Sequence, residues 1–277
     1  MTYASPSYFQ AHADLSQRFG AEKRLGLRFN GVYGKGELGA EDEKQSRRVG
    51  ALALDYQGDR ARFSLDVYNG VNNIDNGSPG MFSFLGQPPR LTGVGYLLAP
   101  PRGDVNMFRG THGEYDNSGI LARAEFDFTE KWQGYLALGG SNSVGQGLMF
   151  GTRAIVIGAD GTTRGAICHV DTRSQRRTAE AGVIGKFDTG SVKHRLQLSA
   201  NVLRMKEGTN NTACQYCYTT NLYNPVTPVF PSAPAWTGYE TATVATKYDF
   251  QSLAVADTMG IADDKVLLTV GGRHQTV

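Results

Sequence analysis

Over residues 47–68, RRVGALALDYQGDRARFSLDVY, apolar and polar side chains alternate with a period of two. Gly50, Leu52, Leu54 and Tyr56 share one parity, with Ala51, Ala53 and Asp55 on the other. After the turn Gln57-Gly58-Asp59-Arg60, Ala61, Phe63, Leu65 and Val67 alternate with Arg62, Ser64, Asp66 and Tyr68. Successive side chains on a strand point to opposite faces, so the pattern predicts a β-hairpin with one apolar and one polar face. Each arm runs to roughly ten residues, longer than the usual five or six of a soluble sheet. That length suits a tilted strand crossing a membrane.

The same unit recurs along the chain. A stub at 2–5 precedes a strand over 8–19, with Phe9, Ala11, Ala13, Leu15 and Phe19 opposed by Gln10, His12, Asp14, Ser16 and Arg18. A turn at 20–23 leads into Leu25, Leu27 and Phe29, alternating with Arg28 and Asn30. Ile120, Ala122, Ala124, Phe126 and Phe128 oppose Arg123, Glu125 and Asp127, and a strand over 132–140 follows the turn Thr129-Glu130-Lys131. The pair 178–187 and 193–206 turns at Asp188-Thr189-Gly190-Ser191. In its second arm Leu196, Leu198, Ala200 and Val202 are outward, against Arg195, Gln197, Ser199 and Asn201. The last pair, 248–259 and 265–274, turns at Ala262-Asp263-Asp264. In its first arm the faces are undecided, because Ala254 and Ala256 compete with Leu253 and Val255.

Tight turns at Gly20, Gly58, Glu130, Gly190 and Asp263 are separated by longer connections, the longest near 75–117, 143–175 and 208–241. Consecutive antiparallel strands alternate ends, so the tight turns fall on one rim and the long loops on the other. Short periplasmic turns and long extracellular loops are the organisation of an outer-membrane barrel. The predicted fold class is therefore all-β, an antiparallel up-and-down transmembrane β-barrel occupying 1–277. A soluble sandwich or lipocalin also alternates, but strand length and repeated long loops on one side favour the membrane.

Composition narrows this further. A net charge of +2 on 277 residues argues against a strongly basic nucleic-acid binder. No run of eighteen or more apolar residues exists, which excludes a transmembrane helix but not a barrel, whose strands give a weak signal. With 35 glycines, 13 tyrosines and 13 phenylalanines, the chain fits a turn-rich barrel with aromatic girdles. Met1-Thr2-Tyr3-Ala4-Ser5 lacks the basic and apolar regions of a secretory signal, which leads to the expectation of a fragment. Gly139-Gly140 and Gly271-Gly272 open no predicted helix, no nucleophile elbow occurs, and Asp263-Asp264 sits in a turn that favours aspartate. No catalytic residue, resident metal or cofactor is expected.

The run SYFQAHADLSQRFGAEKRLGLRFNGVYGKG over 7–36, followed by RRVGALALDYQGDRARFSLDVY, resembles the start of the barrel domain of TonB-dependent siderophore receptors. TNLYNP over 220–225 and SLAVADTMGIADDKVLLTVGGRHQ over 252–275 are similar to the same family in the same order. The resemblance implies the N-terminal half of the barrel, about ten to eleven strands of twenty-two, with the plug domain and TonB box absent. It implies uptake of ferric siderophores across the bacterial outer membrane, with outer-membrane lipid around the wall. The TonB-ExbB-ExbD complex would act through the missing N-terminal region. Import of cobalamin or a glycan, or a passive porin-like barrel, are the alternatives.

Family members bind their ligands with aromatic and polar side chains at the loop-facing mouth. By position Tyr96, Phe108, Arg109, Tyr216, Tyr218 and Trp236 are the candidates, each with the alternative of packing the loops together. Arg28, Arg62, Arg123 and Arg195 are expected to form ion-pair ladders with Asp14, Asp66, Glu125 and Asp127 on the wall, or to contact the plug. Cys214 and Cys217, in a predicted extracellular loop of an oxidising compartment, are expected to form a local disulfide. A redox or half-zinc site is the competing reading, and no second CxxC accompanies it. Cys168 has no evident partner.

Overall fold

Period-two alternation becomes hydrogen-bonded strand over most of the described residues. The computed structural model describes residues 2–4, 7–77, 98–148, 153–167, 169–211, 216–227 and 243–277. The strands are β1 (Thr2–Ala4), β2 (Tyr8–Phe19), β3 (Leu25–Glu37), β4 (Lys44–Gln57), β5 (Ala61–Asp75), β6 (His112–Asp127) and β7 (Trp132–Gly147). Then come β8 (Arg153–Val156), β9 (Thr162–Ile167), β10 (Val170–Thr189), β11 (Val192–Asn211), β12 (Tyr216–Asn221), β13 (Val244–Ile261) and β14 (Val266–Thr276). Eleven of them form one sheet in the order β1-β2-β3-β4-β5-β6-β7-β10-β11-β13-β14; β12, β9 and β8 form a second, three-stranded sheet. Every pairing is antiparallel. Among the described residues the large sheet is an open meander, with β1 and β14 at its edges.

Residues directly opposite one another share a face, so the register sorts the wall into rows. Phe29 faces Leu52, Leu52 faces Val67, and Val67 faces Ile120. Leu136 faces Ala181, Ala181 faces Ala200, and Ala200 faces Leu253. The last pairing settles the undecided arm: Leu253 and Val255, opposite Ala200 and Leu198, lie on the apolar face. Leu15, Leu52, Leu136, Leu198 and Leu253 are all exposed. Near the tight-turn rim that face carries Phe19, Tyr56, Phe63, Phe126 and Trp132, an aromatic girdle of the kind placed at a membrane interface. Gly185 makes room for it, since a Cβ there would sit 2.4 Å from the Trp132 ring.

The two rims differ as the turn pattern requires. The short connections 20–24, 58–60, 128–131, 190–191 and 262–265 share one rim. Left-handed backbone closes several of them, at Gly20 (φ 77), Gly190 (φ 61) and the run Ala262, Asp263, Asp264 (φ 56, 54, 64). Aspartate tolerates that region better than most side chains, which accounts for the paired carboxylates.

The strands outrun the ten residues read from alternation, reaching 20 in β10 and in β11. At about 3.4 Å per residue, such a strand extends far beyond an apolar band about 25 Å tall. The long connections shrink accordingly to 76–111, 148–169 and 212–243, and the last two carry β8, β9 and β12. Above the band neither face is apolar, so alternation disappears from the sequence although the backbone ladder continues.

The polar face carries an ion-pair network. Arg62 binds Asp127 through two nitrogens at 2.7 Å and Glu125 at 2.9 Å, and Arg123 holds the other Glu125 oxygen at 2.7 Å. Arg123 also lies 4.4 Å from the Tyr135 ring centre, and the Tyr135 hydroxyl donates to Glu180 at 2.8 Å. Arg28 pairs with Asp14, and Arg18 with Asp55. Two members of the expected ladder are corrected: Arg195 and Asp66 take part in no ion pair among the described residues. Arg195 stands opposite Lys186 and Thr258, and Asp66 opposite Ala53 and Leu121, so neither has a counter-charge across the ladder.

Candidate ligand site in the loop cluster

At the rim away from the tight turns, three connections fold onto one another. β12, from the connection after β11, pairs with β9, from the connection after β7, and β9 pairs with β8. Asp160-Gly161 makes the β8–β9 turn: Gly161 takes φ 85, and the Asp160 carboxylate accepts from the Thr162 amide and hydroxyl. Those two bonds hold the Asp160 carboxyl below its ordinary range. Onto this sheet packs the end of the connection before β6. Met107, Phe108, Ala154 and Leu222 form a buried core, with Leu98, Val105, Val156 and Tyr223 against it.

Hydrogen bonds fix the cluster where apolar area is small. The Asn106 amide, 5% exposed, donates to the Glu41 and Asn76 carbonyls at 2.6 and 2.8 Å, and its oxygen accepts from the Phe108 amide. Thr111 donates to the Gly77 carbonyl at 2.7 Å. In TNLYNP, Asn221 accepts from the Tyr223 amide at 2.9 Å and donates to the Asp160 carbonyl at 3.0 Å. Leu222 enters the core, and the Tyr223 hydroxyl reaches the Ala99 carbonyl at 3.0 Å. The segment is therefore a clasp joining three loops.

The six candidate contacts fare differently. Phe108 is buried in the core of the cluster, so its ring packs loops together. Arg109 is held by Glu41 at 2.7 Å and Asp42 at 3.3 Å, across to the short 38–43 loop. Tyr218 lies against Gly165, where a Cβ would come 2.2 Å from its ring, and its buried hydroxyl has no hydrogen-bond partner among the described residues. Burial pushes that phenol up. Tyr216 and Cys217 lie on β12, opposite Ile167 and Ala166, but their side chains fall outside the described residues, as do Tyr96, Trp236, Cys214 and Cys168. The structure thus brings Phe108 together with Leu222 and Tyr223, which sequence reasoning did not single out, and does not join Phe108 to Tyr218.

Beside the small sheet sits a carboxylate with no hydrogen bond among the described residues. Asp171 is 1% exposed, both oxygens lack donors among the described residues, and the His169 ring nitrogen lies 3.6 Å away. Burial pushes its carboxyl above the ordinary 3.8, opposed by His169. A carboxyl whose pKa is raised by folding costs stability once it ionises. The cost is absent below pH 3.8, grows as pH rises toward the folded pKa, and stays constant above it. Asp171→Asn is expected to stabilise the cluster at neutral pH by about 1–3 kcal/mol and to match the parent at pH 3. Hydrogen exchange of the β9 and β10 amides at the two pH values measures this.

No family model matches the chain. It is 26% identical over 278 residues to the ferrichrome receptor FcuA of Yersinia enterocolitica, covering 99% of this chain and 35% of that protein. Its fold superposes with a TM-score of 0.84 on BauA, the ferric preacinetobactin receptor of Acinetobacter baumannii, at 28% identity, covering 99% of this chain and 40% of that one. This chain is related to the TonB-dependent siderophore receptors. The ferric-catecholate import receptor Fiu of E. coli K12, 17% identical with a TM-score of 0.72 over 98% of this chain and 42% of its own, shares the fold. The chain thus spans 35 to 40% of the length of FcuA and BauA.

Proposed function

We propose that this chain supplies barrel wall and extracellular loops to an outer-membrane receptor for TonB-dependent uptake of ferric siderophores. The observation that carries the reading is the match to BauA along 99% of the chain in both sequence and fold. The apolar band, girdle and paired polar face supply a wall, and the three-loop cluster supplies a platform at the outer rim. Tyr96, Tyr216, Tyr218 and Trp236 remain the proposed ligand contacts; Phe108 and Arg109 are assigned to holding the platform. The TonB-ExbB-ExbD complex is the proposed energy source.

The test is iron-55 accumulation in cells stripped of their own siderophore receptors and supplied with the protein that carries this chain. Uptake from a ferric hydroxamate or a ferric catecholate, abolished by deleting TonB, is expected. TonB-independent passage of small solutes would establish the porin-like alternative, and accumulation of cobalamin or a glycan in place of iron would move the reading to another importer.

A further inference from the structure

At the tight-turn rim a hydroxyl, an imidazole and a carboxylate form a relay. Thr189 Oγ1, at the end of β10, lies 2.6 Å from His194 Nε2, and His194 Nδ1 lies 2.7 Å from Asp257 Oδ2 on β13. The carboxylate fixes the tautomer: Nδ1 keeps its proton and donates to Asp257, so Nε2 accepts from the Thr189 hydroxyl. The Phe187 ring stacks on the imidazole, with centres 4.8 Å apart and planes at 6°, and so holds its orientation. Thr189 is exposed, whereas the His194 and Asp257 side chains are 13% and 26% exposed. Among the described residues no other histidine has a hydroxyl on one ring nitrogen and a carboxylate on the other. His12 meets an amide, and His112 and His169 each meet a carboxylate alone. Thr189 and His194 flank one hairpin turn and Asp257 comes from a strand 63 residues beyond His194, so no sequence motif announces the set.

The relay lies on the apolar face, at the level of the aromatic girdle. Trp132 faces Gly185, Gly185 faces Leu196, Leu196 faces Asp257, and Asp257 faces Val270. Asp257 is thus a carboxylate in an otherwise apolar row. His194, opposite Phe187 and Met259, and Thr189, opposite Val192, continue toward the rim on the same face. Ionisable side chains turned to lipid are rare and mark function. An aromatic girdle sits where acyl chains join headgroups, so the Thr189 hydroxyl stands at the depth of the phospholipid ester bonds.

We propose that Thr189, His194 and Asp257 form a hydrolytic site for phospholipid esters of the periplasmic leaflet. This rests on the membrane reading above. Thr189 Oγ1 attacks the ester carbonyl carbon while His194 Nε2 takes its proton. The bond from that carbon to the glycerol oxygen then breaks, and His194 returns the proton to the leaving alcohol. Lysophospholipid departs and the acyl group stays on Thr189. Water, giving its proton to His194, attacks the acyl ester, which releases fatty acid and restores the hydroxyl. Asp257 positions the imidazole and stabilises its protonated form.

The full chain, refolded into phosphatidylcholine vesicles with a labelled acyl chain, provides the test. Released fatty acid is counted against protein-free vesicles and against the ether-linked analogue, which has no ester carbonyl. Release from the ester lipid alone is expected, together with covalent capture of a fluorophosphonate at Thr189, located by peptide mass spectrometry. Thr189→Val is expected to abolish both and Thr189→Ser to keep both, and His194→Gln to slow release by roughly a hundredfold or more. An unfolding midpoint of Thr189→Val equal to the parent's in the same bilayer excludes loss of the fold as the cause. No release by the parent, or release unchanged in Thr189→Val or His194→Gln, overturns the proposal. Insertion without hydrolysis overturns this inference alone, whereas failure to enter any bilayer overturns the membrane reading and the hydrolytic site with it.

Discussion

Phe108→Ala is expected to destabilise the loop cluster by about 3–5 kcal/mol, the usual cost of deleting a buried aromatic ring, while leaving the large sheet folded. Phe108 sits with Met107, Ala154 and Leu222 in the core among the described residues where side chains from three connections meet. Its loss leaves a hole that a small core cannot refill, because Asn106 and Thr111 fix the backbone on either side by hydrogen bonds to Glu41, Asn76 and Gly77. The sheet does not depend on this core, since its ladders run continuously between neighbouring strands. Limited proteolysis should therefore cut first near residues 98–111 and 153–167 with the wall intact. A variant that keeps its proteolytic resistance but loses siderophore binding would instead make Phe108 a ligand contact.

The wall was legible in the sequence because lipid on one side and polar groups on the other impose alternation on each strand. Leu52 and Leu54 against Ala53 and Asp55 carried that signal, and so did Leu196 and Leu198 against Arg195 and Gln197. Where the environment is polar on both faces the signal stops. The outer ends of β10 and β11, 170–175 and 208–211, are strand by backbone pairing alone and read as loop. The last hairpin resisted assignment for a related reason: alanine at 254 and 256 is apolar enough to mimic the lipid face, and only the pairing of Leu253 with Ala200 decides it.

The loop cluster was legible only in part. TNLYNP resembled the receptor family without revealing why, and its Asn221, Leu222 and Tyr223 turn out to clasp three connections. A usable signal for β8 and β9 was present: Asp160-Gly161 between AIVIGA and TTRGAI is a strong short-range hairpin pattern. It was masked by the length of the surrounding loop. Phe108 and Arg109 were indistinguishable from ligand contacts in sequence, because a loop aromatic that packs inward and one that faces ligand have the same composition around them. Burial of the one and the Glu41 and Asp42 pairs of the other separate the cases.

Leu198→Arg is expected to cost about 2–4 kcal/mol in a bilayer, the penalty for a cation near the midplane on the lipid face of a barrel. Leu198 lies between Val183 and Val255 on the apolar face, two strand positions below Ala200 and six below Arg204, so an arginine there is too deep to reach the level of Arg204 without distorting the band. Its neighbour in sequence, Gln197, points to the other face, where its amide approaches the Tyr135 hydroxyl beside Glu180. An arginine at 197 gains a carboxylate and is expected to be nearly neutral. Unfolding titrations of both variants in phosphatidylcholine bilayers compare the two faces one residue apart, with strand, depth and substituted residue held constant. A large penalty at 198 with little at 197 follows from lipid on the Leu198 face. The reverse order would place the lumen there and invert the wall, and equal small effects at both positions would fit a sheet with water on both sides.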